Sequence, residues 1–170
     1  MAARELLVLR HAKSDREAGA ADFDRPLAKR GRRDAPRVGR LLRERGLVPD
    51  FVVSSPARRA AETVALVLKA LAIDKDGVRW EEDLYEADVG TLLRVASAVP
   101  DRVGRLLLVG HNPGLEDLVR RLAPGAEAPP GQKLLPTGAL ARLSLARPWA
   151  EIGEGPEALV EILRPREFAE

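Results

Sequence analysis

Short runs of apolar residues recur along the chain, and each has the length and the leucine- and valine-rich composition of a buried β-strand. Stretches with apolar residues at helical spacing separate most of these runs. Strands and helices that alternate in this way are typical of a parallel sheet covered by helices on both faces. We therefore predict an α/β fold, a three-layer α/β/α sandwich with a mostly parallel central sheet. The predicted strands are residues 5–9, 51–54, 78–80, 105–109, 140–145 and 159–163, and the predicted helices are 32–45, 56–71, 91–98 and 114–122.

Two prolines affect where the first two predicted helices begin, and one long loop affects the direction of the last two strands. Pro36 lies inside the first predicted helix, where its missing N–H should kink the helix or confine its regular part to the residues that follow. Ser55 is the N-cap candidate for the second helix, since Pro56 then occupies the first helical position. Residues 146–157 leave too little room for a helix between the last two strands, so one of those strands can run antiparallel.

The bulk composition is that of a globular protein, with 45% hydrophobic and 32% charged residues in a chain of 170. We expect a single domain that spans residues 1–170. No apolar run approaches the roughly 20 residues needed to cross a bilayer, and the N-terminus shows no signal-peptide pattern. The absence of cysteine excludes disulfides and thiolate chemistry. We therefore expect a cytoplasmic protein with no membrane partner.

The formal net charge is only +2, but arginines cluster between residues 25 and 45. Such a cluster could bind nucleic acid, or it could form a solvated helix face whose aliphatic stems cover apolar surface. Aromatic residues, which would stack on bases, make up only 4% of the chain. We favour the solvated face, with a mild attraction for anionic substrates, and expect no nucleic-acid partner.

Candidate chemistry lies where three predicted strands end. Arg10 and His11 follow the first strand, and His111, the other of the two histidines, follows the fourth. Arg59 lies shortly after the second strand beside Arg58, and only one of these two arginines can face a pocket. Ligands bind at the carboxyl ends of strands in open α/β sheets. An imidazole can act as a nucleophile and guanidinium groups bind phosphate oxygens, so this set suits chemistry on an anion such as phosphate.

Each of these residues also fits an ordinary structural role when it is taken alone. Arg10 and His11 could be a surface pair, His111 a buried ring with satisfied hydrogen bonds, and Arg59 could pair locally with Glu62 or Thr63. Other phosphoryl-transfer motifs are weak or absent, because the chain has no P-loop and neither histidine has further ligands at zinc spacing. The segment 22–24, Asp-Phe-Asp, resembles the aspartate pair of metal-dependent phosphoryl transferases but does not follow a buried strand.

Taken together, the segments that follow the first, second and fourth predicted strands resemble the motifs of the histidine phosphatase (phosphoglycerate mutase-like) superfamily. Within it, the chain is most similar to the small bacterial phosphohistidine phosphatases of the SixA type, and the likeness extends over essentially the whole chain. It departs from the pattern at Ala12, where many relatives have glycine, and at Ala28, a weak cap where relatives often have threonine or serine. The resemblance is carried by Arg10-His11-Ala12-Lys13-Ser14, by Ser55-Pro56-x-x-Arg59-Ala60-x-Glu62-Thr63, by Val109-Gly110-His111-Asn112-Pro113, and by the segments 24–27 and 84–87.

The resemblance implies a phosphatase in which His11 attacks phosphorus and carries a transient phosphohistidine. Arg10, Arg59 and His111 would hold the phosphoryl oxygens, so no metal and no other cofactor would be needed. Glu86 is the nearest candidate for the proton-donating glutamate of larger members, although a solvated loop carboxylate is the alternative. The chain is short between Ser55 and Gly110, where larger members insert lid segments.

Without a lid the cleft would be open, which suits a phosphorylated protein better than a small sugar. The imidazole nitrogen of phosphohistidine is also a better leaving group than an alkoxide, so a strong general acid matters less. Both points favour phosphohistidine on a protein, such as a phosphotransfer domain, as the substrate. Two alternatives stay open at this point: a broad-specificity phosphatase of small phosphomonoesters, and a non-catalytic module that binds phosphorylated proteins. The sequence leaves the oligomeric state open and is compatible with a monomer.

Overall fold

The structure, a computed structural model, describes residues 3–165 and contains a 6-stranded mixed sheet in the order β3-β2-β4-β1-β5-β6. Strands β1 to β4 are parallel, β5 is antiparallel to β1, and β6 is antiparallel to β5. The predicted α/β sandwich with a mostly parallel sheet is confirmed, and β5 is the strand that reverses. The strands are β1 (Arg4–Arg10), β2 (Phe51–Ser54), β3 (Arg79–Trp80), β4 (Arg105–Gly110), β5 (Leu140–Leu145) and β6 (Ala158–Leu163), and the helices are α1 (Lys29–Glu44), α2 (Arg58–Leu71), α3 (Val89–Ser97) and α4 (Gly114–Leu122).

Both faces of the sheet are buried, which explains why its central strands read as continuous apolar runs. In β1, Leu6 and Val8 pack into the cluster that contains residues of α3 and α4. Leu7 and Leu9 point to the opposite face and pack into the cluster that contains residues of α1 and α2. The helices therefore form one layer on each side of the sheet.

Gly31 lets α1 pack directly on the loop that follows β1. A Cβ atom at this position would lie 2.2 Å from the carbonyl oxygen of Lys13, so any side chain would push the helix and the loop apart. The Lys13 carbonyl also accepts a hydrogen bond of 2.8 Å from the backbone N–H of Ala28. Ala28 is the N-cap of α1 and makes no side-chain capping bond, as its sequence predicts. These contacts hold the backbone just after His11.

Two sequence expectations about helix boundaries are wrong. Helix α1 begins at Lys29 rather than at residue 32, so of the two effects expected of Pro36, a kink or confinement of the regular helix to the residues after it, the second is wrong. Pro36 removes one ladder hydrogen bond, whereas burial of Ala35 and Val38 against α2 stabilises the helix on both sides of it. Ser55 does not cap α2, which begins at Arg58.

Helix α3 begins two residues before the predicted position because the Asp88 side chain caps it, accepting a 2.9 Å hydrogen bond from the N–H of Thr91. Within residues 3–165, the structure has no helix that is both long and apolar enough to cross a membrane.

Candidate active site

The carboxyl ends of three neighbouring parallel strands place both histidines in one pocket. Arg10, at the end of β1, pairs with Gly110 at the end of β4, so the residues that follow them, His11 and His111, emerge side by side. The centroids of the two imidazole rings are 5.1 Å apart. Ser54 ends β2 on the other side of β4 and leads into Ser55. The site therefore forms at the edge of the sheet where the sequence analysis expects it.

His11 is only 5% exposed and presents one free ring nitrogen. Its Nδ1 atom lies 2.8 Å from the carbonyl oxygen of Ala12. Since a carbonyl only accepts, Nδ1 must carry the proton, which leaves the lone pair on Nε2. Burial, together with the nearby positive charge of Arg10 and Arg59, lowers the pKa of His11 to about 3. The ring is therefore neutral at pH 7, as a nucleophile must be.

Arg10 and Arg59 face the same pocket from β1 and α2. One terminal nitrogen of Arg10, Nη1, donates to the carbonyl of Leu135 at 3.1 Å. Arg59 is 6% exposed and donates from Nη1 to the backbone carbonyl of Asp22 at 2.7 Å and from Nη2 to its carboxylate at 3.2 Å. The Nε atoms of both arginines are buried and have no hydrogen-bond partner within the described residues. Arg10 is thus held by one terminal nitrogen and Arg59 by both, and each guanidinium keeps N–H groups that these bonds do not use.

Arg58 points away from this pocket. Its Nε donates to the carboxylate of Glu62 at 2.9 Å, one turn further along α2, and its side chain is exposed. The local pair with Glu62 that the sequence analysis considers for Arg59 is therefore made by Arg58 instead. Thr63, the other residue considered there, donates to the Arg59 carbonyl at 2.7 Å and accepts from the backbone N–H of Ala12 at 3.0 Å.

His111 is oriented by Ser55, the residue expected to be a helix cap. The Oγ atom of Ser55 lies 2.8 Å from Nε2 of His111 and also accepts from the backbone N–H of Ala57 at 3.2 Å. Because this oxygen already accepts from Ala57, we infer that its hydroxyl proton is donated to Nε2 and that the ring proton of His111 lies on Nδ1. This Nδ1 atom is buried and has no partner among residues 3–165. Burial lowers the pKa of His111 to about 4, so this ring is also neutral.

These residues line a cavity of about 320 Å³ with a strongly positive wall. Four cationic side chains beyond the two arginines reach it, and no carboxylate is found among its described lining residues. Phosphate recognition requires such an excess of donors and positive charge. The lining residues are Arg10, His11, Lys13, Ser14, Arg16, Arg25, Arg59, His111, Asn112, Lys133, Pro136 and Thr137.

Glu86 lines a second cavity of about 450 Å³, which shares Arg59, His111 and Asn112 with the first. The glutamate is exposed, and its backbone adopts a left-handed φ of 58°. It does not line the cavity that holds His11. The structure thus brings Arg10, His11, Arg59 and His111 into one pocket and places Glu86 in the space next to it.

The network around Asp22 is the main feature that sequence reasoning missed. The Asp22 carboxylate pairs with Arg59 and, at 2.9 Å, with Arg25, and it accepts a hydrogen bond from the Tyr85 hydroxyl. The Tyr85 ring in turn lies 5.6 Å from that of His111, centroid to centroid. The sequence of segment 22–24 resembles the aspartate pair of metal-dependent phosphoryl transferases, but in the structure its first aspartate, Asp22, forms ion pairs with arginines. Within the part of the chain that the structure describes, no three His, Cys, Asp or Glu side chains are grouped as metal ligands.

Comparison with known proteins agrees with this geometry. Residues 6–112 match the model of the histidine phosphatase superfamily (branch 1), and the chain belongs to this superfamily. An uncharacterized protein of Mycobacterium tuberculosis (strain ATCC 25618 / H37Rv) is 39% identical over 163 residues, which cover 93% of this chain and 100% of the relative.

Among solved structures, the chain is similar to proteins of the SixA type. A protein assigned as the phosphohistidine phosphatase SixA from Nakamurella multipartitia is 31% identical, with a TM-score of 0.79 over 97% of this chain and 98% of the other. One with the same assignment from Agrobacterium tumefaciens is 28% identical, with a TM-score of 0.80 over 97% and 100%. The family and these neighbours support a phosphatase with a SixA-like fold.

Proposed function

We propose that the protein is a metal-independent phosphatase that forms a phosphohistidine intermediate on His11 and acts on phosphohistidine of a protein. The Nε2 lone pair of His11 forms a bond to phosphorus while the bond from phosphorus to the substrate nitrogen breaks. A proton goes to the departing imidazole. Water then attacks phosphorus and releases His11 and inorganic phosphate, so the net reaction is hydrolysis of one phosphorus–nitrogen bond.

The observation that carries this proposal is that Arg10, Arg59 and His111 line one cavity with His11, whose Nε2 atom is free. The two guanidinium groups supply fixed positive charge and N–H donors beside this neutral nucleophile, and no carboxylate is found among the described lining residues. Such a site suits a ligand with several negatively charged oxygens. The phosphoryl group has three oxygens that bear negative charge, and preorganised donors stabilise that charge in the transition state.

A protein substrate is favoured by the openness of the site and by the leaving group. The chain is short between β2 and β4, the region in which larger members of the superfamily insert lids. An imidazole leaving group also depends less on a strong general acid than an alkoxide does. Glu86 stays the candidate for that acid, since it lines the adjoining cavity beside His111. A single domain over residues 1–170 and a cytoplasmic location stay predictions.

The experiment compares a phosphotransfer domain phosphorylated on its histidine with p-nitrophenyl phosphate, each in EDTA, for the wild type and His11→Ala. We expect wild-type turnover of both substrates with a higher kcat/KM for the phosphoprotein, and no turnover by the variant. Higher kcat/KM for small esters would indicate a phosphomonoesterase instead. Binding of the phosphoprotein without turnover would indicate a recognition module, and loss of activity in EDTA would indicate a metal enzyme.

A further inference from the structure

We propose that Lys13, Arg16 and Lys133, here called the basic rim, bind carboxylates that lie next to the phosphorylated residue of the protein substrate. This inference rests on the proposed function, because it assigns to the same site a preference for acidic surroundings of the phosphohistidine. All three side chains line the cavity that contains His11.

The charge in this cavity exceeds what the phosphoryl group needs. Arg10, Arg59 and His111 line the cavity and already supply groups for the phosphoryl oxygens. Arg25 also reaches the cavity and forms an ion pair with Asp22 at 2.9 Å, so it is not counted in the basic rim. The basic rim therefore adds positive charge that the chemistry at phosphorus does not require.

The charges of the basic rim are not neutralised by any carboxylate that the structure describes. No carboxylate between residues 3 and 165 lies within ion-pair distance of Lys13, Arg16 or Lys133. Burial and then the nearby charges of Arg30, Arg16, Arg10 and Lys133 lower the pKa of Lys13, as expected where cations lie close together. An anion bound between them would relieve this repulsion.

The basic rim is held by two separate segments on the frame of the active site. Lys13 lies two residues after His11, in the loop against which Gly31 packs. Lys133 precedes the loop carbonyl of Leu135, to which Arg10 donates. Because both segments contact elements of the site, their backbones keep a fixed position relative to His11, and recognition can depend on which side of the phosphohistidine the carboxylates lie.

The adjoining cavity has the opposite character. Its described lining residues include four carboxylates, those of Asp22, Glu86, Asp88 and Asp117, and among them Arg59 alone is cationic. An acidic segment of the substrate would be repelled from this side and attracted to the basic rim. The site is thus polarised, and a substrate with carboxylates on one side of the phosphohistidine fits it in one orientation.

The test uses two peptides with one phosphohistidine each, one flanked by glutamates and one by lysines. The measured quantity is the ratio of their kcat/KM values for the wild type, Lys13→Ala, Arg16→Ala and Lys133→Ala. We expect the wild type to favour the acidic peptide about tenfold or more, and each variant to reduce that ratio roughly threefold, as an exposed charge pair would. Added salt should reduce the wild-type ratio as well.

Lys69→Ala is the matched control, because Lys69 is an exposed lysine in the last turn of α2, outside both cavities. It removes the same charge and should leave the ratio unchanged. Equal kcat/KM for the two peptides, or an equal fall in the ratio with Lys69→Ala, would overturn the assignment of the basic rim. Turnover of p-nitrophenyl phosphate without turnover of either peptide would overturn the proposed substrate and the rim with it.

Discussion

Arg59 is held by Asp22 through both of its terminal nitrogens, at 2.7 Å to the backbone carbonyl and 3.2 Å to the carboxylate. These two bonds use two of the five N–H groups of the guanidinium, and the buried Nε has no partner among the described residues. The carboxylate itself is fixed by Tyr85 and Arg25. Asp22 therefore sets the orientation in which Arg59 presents its remaining N–H groups to the cavity.

We expect Asp22→Asn to lower kcat/KM roughly tenfold to 100-fold, since a small misplacement of a charged donor is costly in the transition state. Asp24→Asn is the matched control, because Asp24 lies in the same short 3-10 segment, Asp22–Asp24, and is exposed. Steady-state kinetics and vanadate affinity measure the effect, and both should fall in the first variant only. Equal effects of the two substitutions would show that Asp22 does not position Arg59.

The orientation of α2 predicts different effects for two adjacent arginines. Arg59→Ala removes a buried donor from the cavity and should reduce kcat at least 10²-fold. Arg58→Ala breaks an exposed pair with Glu62 and should change stability by less than about 1 kcal/mol and turnover little. Parallel measurements of kcat and of urea unfolding distinguish the two sites. Similar losses of turnover would contradict the placement of Arg59 in the cavity.

Ser55 should control which nitrogen of His111 carries the proton. In the wild type, ¹⁵N NMR should find the neutral Nδ1–H form, and assignment is simple because the chain has two histidines. Ser55→Ala removes the donor to Nε2, so the ring should shift toward a mixture of tautomers and kcat should fall. Ser54→Ala, a neighbouring serine that is also fully buried, should preserve the wild-type spectrum. A wild-type ring protonated on Nε2 would contradict this account.

The two histidines should make the fold less stable in acid. Their folded pKa values, about 3 and about 4, lie below the unfolded value of 6.5, so the unfolded chain binds more protons between these limits. The contribution of the neutral histidines to the free energy of unfolding should therefore be fully present above pH 6.5. It should decrease as the pH falls, by roughly 2 kcal/mol per histidine at pH 5.

Urea unfolding at pH 7.5 and at pH 5 measures this loss. His11→Asn and His111→Asn should each reduce the difference between the two pH values, because asparagine does not titrate. An unchanged difference in both variants would show that the histidines are not the groups responsible.

The sequence allows prediction of the strands and helices along the chain and of the strand ends that carry the site. It does not allow prediction of the contacts that orient each side chain. The carboxyl ends of β1 and β4 could be predicted because both strands are continuous apolar runs, each followed by a histidine. Arg59 could be selected over Arg58 from the resemblance of Ser55-Pro56-x-x-Arg59, although the serine–proline pair led to a predicted helix start at Pro56 and α2 begins at Arg58. Ser55 itself serves His111 rather than the helix.

The network around Asp22 could not be predicted, because its partners are far away in the chain. Arg59 and Tyr85 lie 37 and 63 residues from it, and no local periodicity connects such positions. The same holds for Lys133, which reaches the cavity from a loop without regular structure. Long-range polar contacts of this kind depend on the packed fold, whereas strands and helices depend on local apolar spacing.

The central claim is that His11 becomes covalently phosphorylated during turnover. The most direct measurement is rapid quenching of the wild type with ³²P-labelled phosphohistidine substrate under alkaline conditions, followed by mapping of the labelled residue. The account predicts a label that is stable in alkali, lost in acid, located on His11 and absent from His11→Ala. Turnover without a label on His11, or a label on another residue, would contradict it.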